Sequence, residues 1–133
     1  MLCKIKEGRD DRGEAVAQTV LAVPVVLGIL WMAIQITVLL HGANVATSVA
    51  GEAASAASRY GASVGVGERA AARALTDFGA TAASPPRVSF SGRDVVATIS
   101  IRLPRVAPFF PSVISRSVRE SREEFMSEAE RQR

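Results

Sequence analysis

Cysteine, histidine, tryptophan and tyrosine each occur once in these 133 residues, and aromatic side chains make up only 5% of them. The lone Cys3 excludes an intrachain disulfide, so any folded part must be held by its core alone. It also precedes the long apolar run rather than following it, which does not suit a lipoprotein acceptor. His41 has no companion Cys, Asp or Glu at metal-ligand spacing. Gly65-Val66-Gly67 lacks the preceding strand and third glycine of a dinucleotide loop, and no Gly-Lys-Ser/Thr follows it. Glu120, Glu123 and Glu124 lie among Arg119, Arg122 and Arg131 and read as ordinary surface pairs. The sequence therefore predicts no enzyme, no metal or other cofactor, and no small-molecule substrate.

The most informative absence is charge. Residues 15–51 contain no Asp, Glu, Lys or Arg, and residues 20–40 are apolar almost throughout. As a helix those 21 residues extend roughly 31 Å, about the thickness of a bilayer's hydrocarbon core. Only a helix hides its backbone polar groups in lipid without a partner, so the stretch predicts one membrane-spanning helix over residues 14–41. Trp31 falls in the middle of it, which favours packing over interfacial anchoring. Pro24 cannot donate to the carbonyl of Val20, so a bend or local unwinding is expected near the helix start.

Lys4, Lys6, Arg9 and Arg12 precede the span, whereas Arg59 alone follows within about twenty residues. That asymmetry predicts a cytoplasmic N-terminus (leader 1–13), a single pass through the cell membrane and an exported C-terminal region. A cleaved signal peptide is the alternative, although its apolar core would usually be about 7–15 residues, shorter than this one. From Glu52 onward there are twelve Arg and nine acidic residues, a balance of +3. The arginines are scattered without an aromatic ladder, which argues against nucleic-acid binding and for a solvated surface mildly attracted to anionic headgroups.

The fold class expected is α+β: a long N-terminal helix continuing outside the membrane, then a small antiparallel sheet. Residues 42–84 form a small-residue-rich helical region. Within it Val45, Val49, Ala53, Ala56 and Tyr60 draw one stripe, and Ala46, Ala50, Ala54 and Ser58 draw a second that lets a neighbouring backbone approach closely. Gly61, Gly65 and Gly67 mark a break; a second helix over 68–78 turns Ala71, Ala74, Leu75 and Phe78 to one side, with Gly79 as its stop. Residues 80–86 read as a loop. Over 85–120 a β-region follows: 87–91 and 95–103 alternate with period two around a hairpin loop at Gly92-Arg93-Asp94, and a third strand begins near Val113. Pro104, Pro108 and Pro111 punctuate a linker carrying Phe109-Phe110. The charged tail, 121–133, reads as a frayed helix or disordered. A core this small is marginal for a free domain and calls on the long helix, or on partners, for stability.

Just ahead of the span stands Arg12-Gly13-Glu14-Ala15-Val16-Ala17-Gln18-Thr19-Val20-Leu21-Ala22-Val23-Pro24. This resembles the start of TadE-like pseudopilins, the minor pilin-like subunits of tight-adherence pilus machinery. The resemblance implies cleavage between Gly13 and Glu14 by a membrane-embedded prepilin peptidase. It also implies assembly with other pilin-like subunits through the N-terminal helix, for which Gln18, Pro24, Ala46, Ala50 and Ala54 are the candidate contacts. Two positions depart from the family pattern: Gln18 replaces its acidic residue and Thr19 the following aromatic. Where the family's carboxylate pairs with the terminal amine of a neighbour, Gln18 can hydrogen-bond without neutralising the charge.

Two readings compete with the pseudopilin. One is an unprocessed single-pass protein whose exported domain binds an envelope partner. The other is a small secreted protein released after the alanine-rich stretch.

Overall fold

The computed structural model of the chain describes residues 10–105 and 108–123, with the side chains of residues 10–12 and 14 excepted. Its longest element is α1, Asp10–Ser58, a 49-residue helix of about 73 Å. The next is α2, Val64–Asp77, followed by four strands: β1 Thr81–Ala82, β2 Arg87–Ser91, β3 Asp94–Arg102 and β4 Val113–Ser121.

Alternation along β3 organises the sheet. Val95, Ala97, Ile99 and Ile101 are buried on one face, while Val96, Thr98 and Ser100 lie half-buried on the other. All pairings are antiparallel. β4 runs the whole length of β3, from Asp94↔Ser121 to Arg102↔Val113. The opposite edge of β3 is shared, with β2 beside its first half and β1 beside its last two residues. On the outer face, neighbouring hydroxyls bond across the strands, Thr98 to Ser117 at 2.8 Å and Ser100 to Ser115 at 2.7 Å.

The inner face of the sheet packs on the second half of α1. Val45, Ala46, Val49, Ala50, Ala53, Ala54 and Ala57 form one buried cluster with the β3 side chains, joined by Ala71, Ala74 and Leu75 of α2. The domain is thus built around α1 and uses it as core. This is the dependence on the long helix that the small apolar inventory implies.

Direction is fixed at both ends. The amide of Glu123, just past β4, donates to the Ser58 carbonyl at 2.8 Å and satisfies an acceptor that the end of α1 leaves open. At the other end, Leu103, just past β3, presses against Gly42. So β4 runs with α1 and β3 against it. Helix α2 also returns antiparallel to α1: Gly67 near its start lies on Ala53 and Ala57, and its end leads into β1 beside Arg102.

Helix α2 closes with Gly79 at φ +61°. Gly79 N–H donates to the Thr76 carbonyl at 3.0 Å and Ala80 N–H to that of Leu75 at 2.9 Å, the paired bonds of a Schellman stop. Gly79 therefore stops the helix as its position implies.

Several boundaries differ from the sequence reading. α2 begins at Val64, four residues before the expected start, because Gly67 lies inside it at a close helix crossing instead of breaking the chain. Phe78, the residue just past the last helical turn, is 49% exposed and not buried with Ala71 and Ala74. Residues 81–82, read as loop, form β1. The hairpin turn is two residues, Gly92-Arg93, with Asp94 already paired to Ser91; Gly92 at φ +63° supplies the left-handed first position that tight hairpins require. The expected tail beyond residue 123 lies outside the described residues.

Candidate functional site: the exposed apolar helix

Among the described residues one helix, near the N-terminus, is long and apolar enough to cross a membrane. What distinguishes it from a core helix is exposure. Every described side chain from residue 15 to residue 34 is exposed, among them Leu21, Val25, Val26, Ile29 and Leu30. Those twenty residues extend about 30 Å. A row of large aliphatic side chains on all sides of a helix has no counterpart in a water-exposed surface, where apolar stripes face a core.

All-round exposure ends at Gln35, which is 0% exposed. From there one face of α1 is covered by the chain's own domain, while Ile36 and Leu40 stay exposed on the other. The expected span of 14–41 therefore divides in two. Residues 15–34 are bare, and residues 35–41 are one-sided. Within the bare stretch Trp31 stands one turn from the far end, 55% exposed, and not at its middle.

Polar groups along this helix are accommodated locally. The Thr19 and Thr37 hydroxyls donate to the carbonyls of Ala15 and Ala33, each at 2.9 Å. Gln35 is turned into the protein, and Gln18 is exposed four residues beyond Glu14. α1 runs through Pro24 as one uninterrupted element, so the local unwinding expected there is absent. Gly13 lies on the helix and is exposed; the Glu14 side chain lies outside the described residues.

Ala46, Ala50 and Ala54 are each 0% exposed. Their small size does permit close approach, but the approaching elements are the chain's own sheet and α2. The expectation that this face meets a neighbouring subunit is corrected: it is already occupied. The companion stripe is likewise inward at Val45, Val49 and Ala53, and ends outside at Tyr60, 74% exposed.

Among the described residues no group of His, Cys, Asp and Glu is placed to hold a metal ion, and His41 is exposed on α1. By sequence, Phe109-Phe110 belongs to a proline-punctuated linker. Phe109 is the most exposed of the chain's large apolar side chains among the described residues, at 95%, and the only signal for it was an aromatic pair between Pro108 and Pro111.

No family model, curated protein or solved structure matches this chain.

Proposed function

We propose that this protein is a membrane-anchored, pilin-like subunit, held in the cell membrane by residues 15–34 and carrying its small domain on the exported side. The observation that carries the reading is the bare apolar stretch of α1, continuous with a helix that forms the core of an antiparallel sheet. An exposed apolar rod suits lipid or the equivalent rods of other subunits. The resemblance of residues 12–24 to TadE-like pseudopilins supports the second use, in a tight-adherence pilus or secretion assembly. The asymmetry of four Lys/Arg before the span against Arg59 after it supports the orientation.

In this reading a prepilin peptidase cleaves between Gly13 and Glu14. Glycine is the weakest helix former after proline, by about 1 kcal/mol relative to alanine, so the helix opens there at low cost to meet a protease. Glu14 then becomes the first residue. Its carboxylate lies beside the new ammonium and partly offsets the acidic group that Gln18 does not supply.

N-terminal sequencing of the protein from membranes, with and without a prepilin peptidase, tests this. The expected result is a terminus at Glu14 only when the peptidase is present. Full-length protein in both would overturn processing. It would favour the second reading, an unprocessed single-pass protein whose domain binds an envelope partner, for which Gln18 in place of the family's acidic residue is the specific support.

A further inference from the structure

We propose that the foot of the folded domain is itself seated in the lipid interface, so that the chain holds its membrane at two places. The inference rests on reading residues 15–34 as the membrane span. It concerns residues that this reading leaves unused.

The foot is defined by the direction of the strands. β3 runs toward the bare part of α1 and passes Gly42 at Leu103. Gly42 is eight residues beyond Ile34, about 12 Å along the helix. Each polar layer of a bilayer is about 5–8 Å deep, so the end of β3 arrives just above it. The Leu103 amide donates to the Ser112 carbonyl at 2.8 Å, and the Arg105 guanidinium donates to the Ser112 hydroxyl at 3.1 Å. These bonds close the base of the connection to β4. The described residues 108–111, among them Phe109 and Phe110, follow from that base toward the membrane end of the domain.

A second element descends to the same level. α2 runs down alongside α1 and ends at Phe78; three residues later Thr81 pairs with Arg102, the last residue of β3. Phe78 and Phe109 are thus both exposed toward one end of the domain, the end at which Ile36 and Leu40 of α1 are also exposed. Arg102 and Arg105, both exposed, flank them.

The composition of this rim selects its occupant. Single exposed apolar residues on a protein surface need no explanation, but an aromatic rim contiguous with a bare apolar helix does. Aromatic rings favour the boundary between headgroups and acyl chains, and guanidinium groups bind the phosphates just above it. The chain's own cover over α1 reaches down to Gln35, 0% exposed and next to Ile34. The base of the domain therefore extends below the end of β3, to the depth at which a lipid surface meets both demands.

Tryptophan fluorescence in vesicles of mixed phosphatidylcholine and phosphatidylglycerol tests the inference, with the full chain reconstituted. Trp31, the single native indole, reports on the span. Lipids brominated along the acyl chain should quench it. In a Trp31→Phe background, Phe109→Trp then reports on the foot; its exposure leaves the new ring nothing to displace. The expected result is blue-shifted emission, quenched by lipids brominated near the headgroup and protected from acrylamide in the water. Phe78→Trp in the same background should behave alike. If Trp31 is quenched by lipid but the foot variants are quenched only by acrylamide, the span stands and the inference is overturned. Protection from both quenchers also overturns it, by showing a protein partner or a second copy on the rim. Loss of Trp31 quenching by lipid would remove the span reading itself.

Discussion

Gly67 of α2 lies so close to α1 that a Cβ at its position would stand 2.7 Å from the carbonyl oxygen of Ala53. The same Cβ would meet the Ala57 methyl at 2.9 Å. Neither neighbour is the movable tip of a long side chain, so the two helices could accommodate it only by separating. The crossing of α1 and α2 is set by this missing methyl.

Gly67→Ala should therefore destabilise the domain by about 1–3 kcal/mol despite alanine's better helix propensity. Gly65→Ala is the control. Its Cβ would have only Arg69 at 3.4 Å and Ser63 at 4.0 Å, and stability should hold or rise slightly. Denaturant unfolding of the full chain in detergent, followed by circular dichroism, compares them. Equal effects at both positions would contradict the close crossing.

Ala50→Leu should loosen the domain rather than act on association between chains. The site is fully buried against the chain's own elements, so the added volume overpacks it by about 1–3 kcal/mol. Limited proteolysis should cut the variant faster under conditions in which chain-to-chain crosslinking in membranes is unchanged. Reduced crosslinking with unchanged protease resistance would mean that the face is open to another subunit after all.

Ile99→Ala removes the largest fully buried side chain of the sheet and should cost about 2–5 kcal/mol. Thr98→Ala breaks only the exposed hydroxyl bond to Ser117, on the opposite face, and should cost under about 1 kcal/mol. Thermal unfolding of the two variants should differ accordingly.

Topology can be read with the native cysteine. In intact cells without a prepilin peptidase, where residues 1–13 are retained, a membrane-impermeant maleimide should leave Cys3 unlabelled until the membrane is permeabilised. With Cys3→Ser and Ser121→Cys together, labelling from outside should be immediate. The reverse pattern would overturn the proposed orientation.

The strand texture of this chain was legible because one period decides it. Val95, Ala97, Ile99, Ile101 and Leu103 alternate without exception, and all five are buried. The third strand also alternates, though Ser, Arg and Val mix on both its faces, and its pairing with the whole of β3 was invisible. β1 escaped notice because two residues carry no period. The early start of α2 was hidden by Gly65 and Gly67, whose poor helix propensity is outweighed by the packing that only glycine permits. For the candidate site, the apolar run was plain from the missing charges. Its division at Gln35 was not, because nothing in a run of apolar residues says which are covered by a domain folded from residues far downstream. The alanine stripe likewise announced a close contact, but pointed to another subunit where the chain's own sheet and α2 fill the face.

A helix that is bare along its first half and core along its second has a mechanical consequence. Between Ile34 and Gln35 there is no joint, so a pull or twist applied to the sheet is delivered undiminished to the segment below. Compliance is concentrated where the backbone ladder misses a rung, at Pro24, about 15 Å beneath the point at which the domain begins. A load on the domain turns the upper ten residues of the bare helix as a lever arm about that point. Domain and upper rod move as one unit, and the pivot lies within the apolar rod instead of where domain and helix meet.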